Sequence, residues 1–309
     1  MTTHGEVVLE VDGLRMRYGD NDVLKDVTFR AYRGEVLVML GPNGAGKTST
    51  IEILEGFRKR SAGRVSVLGA DPERGDELWR ARVGIVLQSW RDHAKWRVRD
   101  LLVHMGAFYA AYSTADIQRP WDADELIAHV GLTGHADRPI RMLSGGQRRR
   151  LDVAIGMVGR PEMLFLDEPT VGFDPEARHT FHDLILGLVA TGETTIMLTT
   201  HDLAEAEKLA DRIVILDDGR IVADGTAGQL AERLVGRDEV RWTQDGRRHV
   251  ESVRDSTRFV RDLFARGGEG VSGLEVHRSS LEATYLSLVR QAESGKTEAI
   301  GPVRKAAAR

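Results

Sequence analysis

The sequence predicts an α/β protein whose sheet is largely parallel and covered by helices. Short, wholly apolar runs recur along the chain, and helical patterns mostly lie between them. Uninterrupted apolar runs are typical of strands buried on both faces, as the strands of parallel sheets are. The chain has 309 residues, of which 41% are hydrophobic and 29% charged, so it can bury a sizeable core. This composition excludes disorder of the whole chain.

The first part of the chain carries the strand and helix patterns of this core. After the third strand and a glycine-rich turn, helical spacing runs over residues 47–56, where Ile51, Leu54 and Phe57 share one side. The predicted strands are residues 7–11, 23–31, 36–40, 83–87, 163–166, 194–198 and 213–216.

Residues 98–130 are instead predicted to be helical throughout. One apolar stripe runs along this segment, and we interpret it as a packing face. We therefore expect a small all-α insertion, spanning about residues 97–159, within the α/β core. The stripe consists of Val98, Leu101, Leu102, Met105, Phe108, Tyr109 and Tyr112.

A second domain is predicted after residue 236, where the composition changes. We expect a domain over residues 1–236, a small α+β appendage over residues 237–290, and a disordered tail over residues 291–309, which lack periodicity. Within the appendage, the predicted strands are residues 239–243, 248–253 and 270–276, and the predicted helices are residues 257–265 and 281–289.

Charge and cysteine content exclude several classes of protein. With 43 Lys and Arg against 47 Asp and Glu, no overall positive field attracts nucleic acid or anionic lipid. The absence of cysteine excludes disulfides, thiolate metal sites and cysteine nucleophiles. The first residues lack the pattern of a signal peptide, and no apolar run reaches the roughly 20 residues that span a bilayer. We therefore expect any membrane role to depend on a partner.

The strongest chemical motif matches the pattern G-x-x-x-x-G-K-[ST] and lies between a predicted strand and a predicted helix. Its backbone N–H groups can wrap phosphates, while Lys47 reaches the β- and γ-phosphates and the Thr48 hydroxyl can bind Mg²⁺. The alternative, a tight turn with no ligand, leaves the Lys and Thr unexplained. The motif is Gly41, Pro42, Asn43, Gly44, Ala45, Gly46, Lys47 and Thr48, and Ser49 is counted with it as a candidate nucleotide contact.

Two acids end the apolar strand that begins at Met163. Burying carboxylates at a strand end costs free energy unless a cation or a reacting water compensates. Asp167 is therefore the candidate for the Mg²⁺ side, and Glu168 is the candidate base for an attacking water. Taken alone, an apolar strand that ends in Asp is common in α/β folds, so the inference depends on the nearby phosphate loop.

A second anion site is predicted before a helix over residues 148–158. Ser144 is a candidate N-cap, and Gly145 and Gly146 leave bare N–H groups at the helix N-terminus. An ordinary capped helix is the alternative for such a Ser-Gly-Gly segment. Gln147 and the preceding Leu143 make the pentapeptide more specific.

In this order, the motifs resemble those of the nucleotide-binding subunits of ATP-binding cassette (ABC) transporters, over about residues 6–236. The resemblance implies a P-loop NTPase of ABC type with an antiparallel β subdomain. It also implies roles for further residues: Tyr18 stacks on adenine, Gln88 links Mg²⁺ to the membrane partner, Ser144 to Gln147 form the signature, Asp174 contacts the second subunit, and His201 is the switch histidine.

Within the family, residues 144–154 and 171–175 resemble the daunorubicin/doxorubicin-resistance type of ATPase, which serves ABC-2 exporters. Residues 280–288 resemble the closing element of that subgroup, with Tyr285 in place of Phe. Two departures are Phe173, where Leu is usual, and residues 89–96, which are unusually aromatic and basic. The resemblance thus implies an exporter ATPase.

The resemblance also implies a mechanism and partners. ATP with Mg²⁺ is sandwiched between the phosphate loop of one subunit and the Ser144 helix end of another, in what we expect to be a homodimer. Glu168 polarises water, His201 holds the γ-phosphate, and Lys47 neutralises charge. A separate polytopic transmembrane subunit is implied, which places the chain at the cytoplasmic face of the membrane.

Two other hypotheses remain at this point. One is a non-transport ABC ATPase acting on nucleic acid or the ribosome, to which the run Arg148, Arg149 and Arg150 could contribute. Consecutive helical residues point in different directions, so we interpret these arginines as solvated or paired within the protein. The other is a catalytically silent nucleotide-binding regulator, which the presence of Lys47, Glu168 and His201 disfavours.

Overall fold

The computed structural model describes residues 5–86, 93–189, 192, 194–234, 238–244, 247–253, 255–267 and 270–277. The chain divides into two compact units, Met1–Ala223 and Asp224–Arg309. The domain boundary after residue 236 stays a prediction, and the predicted helix over residues 281–289 and the tail lie outside the described residues.

All the strands predicted within the first unit are present, and helices lie between most of its strands. In chain order they are β1 (Val7–Tyr18), β2 (Asn21–Tyr32), β3 (Val36–Leu40), α1 (Lys47–Leu54), β4 (Ala62–Val67), α2 (Glu77–Ala81), β5 (Val83–Val86), α3 (Val98–Ala107), α4 (Ala123–His129), α5 (Gly145–Met157), β6 (Met163–Asp167), α6 (Pro175–Val189), β7 (Thr195–Thr200), α7 (Leu203–Leu209), β8 (Arg212–Asp217) and β9 (Arg220–Gly225).

A six-stranded sheet has the order β5-β6-β7-β3-β8-β9. The pairings of β5 with β6, β6 with β7, and β3 with both β7 and β8 are parallel. Register matters for the site, because Leu40 pairs with Thr200 and Asp167 pairs with Thr199. The carboxyl ends of β3, β6 and β7 therefore meet at one edge of the sheet.

A second, antiparallel sheet has the order β2-β1-β4. Strands β1 and β2 are each 12 residues long and exceed the predicted runs, because polar residues such as Arg15 and Arg17 interrupt their apolar pattern. The sequence analysis missed β4, which begins with Ala62, Gly63 and Arg64, all exposed. Its buried face consists of only Val65 and Val67, which is too short a pattern to predict a strand.

The insertion is less helical than predicted. Helices α3 and α4 are confirmed, but the prediction is wrong for residues 113–122, which form no helix. The Ser113 hydroxyl donates to the Arg119 carbonyl oxygen and accepts from the Arg119 N–H, so side-chain bonds replace helical ones. The stripe is buried at its start, at Val98, Leu101 and Leu102, while Phe108 further along it is 64% exposed.

The second unit contains α8 (Ala227–Leu234), β10 (Asp238–Gln244), β11 (Arg247–Val253), α9 (Ser256–Gly267) and β12 (Val271–His277). The strands form an antiparallel sheet of order β11-β10-β12. The buried Trp242 ring lies 5.1 Å from the ring of His249 and 5.5 Å from that of Phe259 on α9. The three predicted strands and the first predicted helix are thus confirmed here.

No helix within the described part of the chain is long and apolar enough to cross a membrane.

Close packing of β5 on α5 makes Gly84 a sensitive position. A Cβ at Gly84 would lie 2.3 Å from the Gly156 carbonyl oxygen. We predict that Gly84→Ala lowers the free energy of unfolding by about 1–3 kcal/mol, the usual cost of overpacking. Gly187→Ala on α6 is the control, because its Cβ would meet nothing within 4 Å. Urea unfolding measures both, and equal stabilities would contradict the packing.

Candidate functional site

The phosphate loop joins the wholly buried strand β3 to helix α1. Gly44 and Gly46 have φ values of 85° and 107°, in the region that favours glycine. A Cβ on Gly41 would lie 2.2 Å from the Leu216 carbonyl oxygen, so the loop also needs glycine for close backbone approach. No side chain caps the start of α1 and its first turn contains no acid. Its N-terminal N–H groups are thus available to an anion.

The Lys47 ammonium is buried under this loop, with 4% of the residue exposed. Its Nζ donates to the carbonyl oxygens of Gly41 at 2.8 Å and Pro42 at 3.0 Å. It also lies 3.1 Å from Oε1 of Glu168. Burial of a cation is costly without partners, and these three oxygens supply them.

Asp167 ends β6 beside Thr48. Oδ2 of Asp167 accepts from the Thr48 hydroxyl at 3.1 Å, and Oδ1 accepts from the Thr199 hydroxyl. A hydroxyl and a carboxylate oxygen are therefore adjacent at the sheet edge. Hard oxygen donors of this kind are the ligands that Mg²⁺ prefers. Among the residues that the structure describes, no group of three or more His, Asp or Glu side chains could hold a metal ion.

Glu168 joins the phosphate loop to His201. Its backbone has a φ of 42°, an uncommon conformation for a residue other than glycine, and its N–H donates to the Thr199 carbonyl oxygen at 3.1 Å. Oε1 contacts Lys47, while Oε2 lies 3.3 Å from Nδ1 of His201. The carboxylate is thus held between a buried ammonium and a half-exposed imidazole.

Tyr18, the candidate adenine contact, ends β1 and is 39% exposed. Its hydroxyl lies 3.2 Å from Oγ of Ser49 on α1. The Arg58 guanidinium carbon lies 5.1 Å from the centre of the Tyr18 ring, a cation–π contact. Tyr18 therefore presents an aromatic surface beside the helix that follows the phosphate loop.

The second candidate anion site lies at the start of α5. The Ser144 hydroxyl accepts from the Gln147 N–H at 3.3 Å, and Oε1 of Gln147 accepts from the Ser144 N–H at 3.0 Å, which is a capping box. The predicted N-cap is thus confirmed. A Cβ on Gly145 would meet nothing within 4 Å, so this helix end is open.

A cavity of about 500 Å³ lies in front of this helix end. It is bounded by the capping residues, by the loop 171–174 and by the start of α6. Oδ1 of Asp174 accepts from the Ala177 N–H at 2.8 Å and so fixes the start of α6, while Phe173 packs edge-on against Phe181, 5.9 Å between ring centres. Among the residues that the structure describes, none from the phosphate loop lines this cavity.

The arginine run on α5 is paired within the protein, as predicted. Arg148 Nε lies 3.4 Å from Asp152, the buried Arg149 donates to the Pro169 carbonyl oxygen at 3.0 Å, and Arg150 donates to that of Gly131 at 3.1 Å. Burial raises the pKa of Asp152 to about 6 even though both Arg148 and Arg149 lower it. This run therefore forms no flat basic patch.

Comparison with known proteins identifies the family. The family profile described as ABC transporter matches residues 24–171. The chain is 40% identical over 231 residues to the daunorubicin resistance ATP-binding protein DrrA3 of Streptomyces coeruleorubidus, covering 75% of this chain and 72% of that protein. The chain belongs to the ABC transporter family. It is also 38% identical over 233 residues to the Nod factor export ATP-binding protein I of Ralstonia nicotianae, covering 75% of this chain and 71% of that protein.

Solved structures of ABC cassettes share the fold. One, described as the ATP binding subunit of an ABC transporter, is 27% identical, with a TM-score of 0.62 over 73% of this chain and 92% of that one. Another, the ADP conformation of an ATP-binding cassette, has a TM-score of 0.63 at 22% identity over 72% of this chain and 92% of that one. The predicted fold class and the ATP hydrolase activity are thereby confirmed for this ABC ATPase.

The predicted site residues of this ABC ATPase divide into two groups in the structure. The phosphate loop, Asp167, Glu168 and His201 come together at one edge of the sheet. Ser144, Gly145, Gly146, Gln147 and Asp174 line the separate cavity. Gln88 lies outside the described residues, as does Trp90.

Sequence reasoning missed two residues of the ABC site. The Thr199 hydroxyl accepts from the Glu168 N–H and donates to Oδ1 of Asp167. The sequence contains a signal for this residue, because polar Thr199 and Thr200 end an apolar strand just before His201. Glu55 is 8% exposed, and burial, with Asp167 and Glu52 nearby, raises its pKa to about 8. Its position four residues after Ile51 places it on the apolar side of α1.

Glu55 predicts a specific pH dependence of stability. A carboxyl whose pKa is raised from 4.5 to about 8 on folding binds its proton more tightly in the folded protein. Its contribution to the free energy of unfolding is therefore present at low pH and is lost as the pH rises toward about 8. Glu55→Gln should be more stable than wild type, by a margin that grows over this range to a few kcal/mol.

Urea unfolding without Mg²⁺ or nucleotide, at about pH 5 and about pH 8, measures this margin. Glu207→Gln is the control, because Glu207 is an exposed residue of α7 and is not among the groups that raise the pKa of Glu55. A Glu55→Gln margin that is the same at both pH values would contradict the placement of Glu55.

Proposed function

We propose that this chain is the ATP-hydrolysing subunit of an ABC-2 type exporter that moves a drug-like, lipid or other compound through a separate membrane protein. The observation that carries the proposal is the contact of Glu168 with both Lys47 and His201 beside the phosphate loop. The two named relatives support export, since one is named for Nod factor export and the other for daunorubicin resistance. Neither these names nor the paired arginines favour a role with nucleic acid.

We propose that ATP starts hydrolysis by replacing Glu168 as a partner of the Lys47 ammonium. The β- and γ-phosphates of ATP offer the Lys47 ammonium stronger anionic partners than Glu168 and the two carbonyl oxygens do. Glu168, held by its backbone bond to Thr199, is then free to accept a proton from the attacking water. His201, whose Nδ1 lies 3.3 Å from Oε2 of Glu168, would also contact the γ-phosphate, and the N–H groups of α1 would stabilise the charge that develops.

Mg²⁺ fits the oxygen donors at this sheet edge. Thr48 and Asp167 would hold it, and Gln88 is proposed as a further contact. When bound, Mg²⁺ neutralises charge on the phosphates.

Two chains are proposed to complete each ATP site. Within the described part of one chain, the open end of α5 faces a cavity that includes no phosphate-loop residue. An ATP bound at Lys47 would therefore meet the Ser144 helix end and Asp174 of a second copy, and its γ-phosphate would join the two chains. Tyr18 and Ser49 would contact the nucleoside side of the same ATP. Hydrolysis then separates the copies.

The docking surface for the membrane subunit is proposed on the insertion. The rings of His93, Trp96, His104 and Phe108 follow one another, with centres 5.0–5.4 Å apart. Trp96 is 36% exposed and Phe108 is 64% exposed. Large aromatic side chains are favoured anchors of interfaces. A partner here would hold the chain at the cytoplasmic face of the membrane.

Replacement of Glu168 tests the chemistry. Glu168→Gln keeps the shape of the side chain but removes its negative charge, so hydrolysis should fall by roughly 10²–10⁴-fold while ATP still binds. The uncleaved ATP should hold an ATP-dependent dimer that gel filtration detects. Glu125→Gln is the control, because Glu125 is an exposed residue of α4 that belongs neither to the Lys47 site nor to the cavity before α5. Wild-type turnover in Glu168→Gln would remove Glu168 from the mechanism.

Replacement of the aromatics tests docking. Changing Trp90 and Trp96 to Ser should uncouple transport while the ATPase activity of the isolated chain survives, because neither tryptophan is among the residues proposed to bind ATP. Transport into membrane vesicles containing the co-purified membrane subunit measures coupling. Phe264→Ser, an exposed aromatic of the second unit, is the control. Unchanged transport in the Trp variant would show that these aromatics do not anchor the partner.

A further inference from the structure

Two loops that carry candidate residues are each fixed to the helix that follows them. Asp174 fixes the start of α6 through its bond to the Ala177 N–H, and the Arg178 N–H donates to its carbonyl oxygen at 3.0 Å. Asp202, next to His201, caps α7, since its Oδ1 accepts from the N–H groups of Ala204 at 2.9 Å and Glu205 at 3.3 Å. The positions of Asp174 and His201 thus depend on the positions of α6 and α7.

One polar link joins the two helices next to these loops. Nη1 of Arg178, in the first turn of α6, donates to Oδ2 of Asp202 at 2.8 Å. The Asp202 carboxylate therefore caps α7 with one oxygen and binds α6 with the other. Both side chains are partly exposed, at 39% and 29%, so the pair contributes little stability and mainly fixes geometry.

A second, buried link lies one helical turn further along α7. Oε1 of Glu205, whose side chain is 1% exposed, accepts from the Thr170 hydroxyl at 2.8 Å and lies 3.2 Å from Nε2 of His182 on α6. Thr170 immediately precedes the loop 171–174. A buried carboxylate keeps its partners because leaving it unpaired is costly. Glu205 therefore ties α7 both to α6 and to the start of that loop.

We propose that Arg178, Glu205 and Thr170 are positioning residues that hold the loop 171–174 and His201 in one fixed relation, so that contact with the second subunit and contact with the γ-phosphate are made together. The proposal rests on the proposed function, in which Asp174 meets the second copy and His201 meets ATP. Displacement of the loop would move α6, and both links would pass that movement to α7, whose cap Asp202 directly follows His201. The links thereby couple dimer closure to the chemistry.

A matched pair of variants tests this coupling. Arg178→Ala breaks the link beside the loops, whereas Lys208→Ala breaks an ion pair between the same two helices, Lys208 to Asp183 at 3.8 Å, away from the loops. We expect Arg178→Ala to lower kcat at least about fivefold, with ATP affinity and melting temperature unchanged, and to weaken the ATP-dependent dimer in a Glu168→Gln background by a similar factor. Lys208→Ala should match wild type. Arg178→Lys, which keeps the charge, should restore most of the loss.

Thr170→Val provides a second, independent variant. It keeps the side-chain volume and removes the hydroxyl that Glu205 binds, so it should also lower kcat and leave ATP affinity unchanged. If Arg178→Ala fails to fold, Thr170→Val carries the comparison with Lys208→Ala.

The outcomes separate the two proposals. Equal kcat and equal dimer formation in Arg178→Ala, Thr170→Val and Lys208→Ala would overturn the positioning role, whether all three match wild type or all three are impaired. A wild-type chain that does not hydrolyse ATP, or a Glu168→Gln chain that never dimerises with ATP, would instead overturn the proposed function itself.

Discussion

The buried ammonium of Lys47 is the group on which the site depends. A cation with 4% exposure needs oxygen partners, and it receives them from the loop carbonyls of Gly41 and Pro42 and from Glu168. The Glu168 backbone is left-handed at the end of β6, and its N–H is held by Thr199. The parallel register of β3, β6 and β7 brings these partners to one edge. The order and register of these strands thus bring Lys47 and Glu168 together.

Much of this arrangement could be predicted from the sequence, because its signals are local. The apolar run from Val36 to Leu40 predicts strand β3 with the bounds that the structure shows, because every residue of it is buried. Ser144 caps α5, as the Ser-Gly-Gly pattern predicts. The break in the insertion was missed because Ser113 and Arg119 exchange bonds that no periodicity records. Buried acids such as Glu55 depend on packing between distant segments, which local patterns do not contain.

The two helix ends that are proposed to bind phosphate lie in separate places on the chain, which is the basis of the proposed two-chain site. The start of α1 belongs to the sheet edge, whereas the start of α5 faces its own cavity beside the loop 171–174. Each end is open, as shown by the uncapped start of α1 and the unobstructed Gly145. Polar links join α6 to α7. In the proposed dimer they would connect the surface that meets a second copy with His201, the residue that would meet ATP.

Complementation between two inactive variants tests the composite site most directly. Lys47→Ala removes the phosphate-loop cation, and Gly145→Asp places a negative charge at the open end of α5, where it repels phosphate while suiting the helix. Each variant alone should lack ATPase activity. When they are mixed, the mixed dimer contains one complete site, built from Lys47 of the second variant and Gly145 of the first, so activity should return. Mixed dimers that form and stay inactive would contradict the two-chain site.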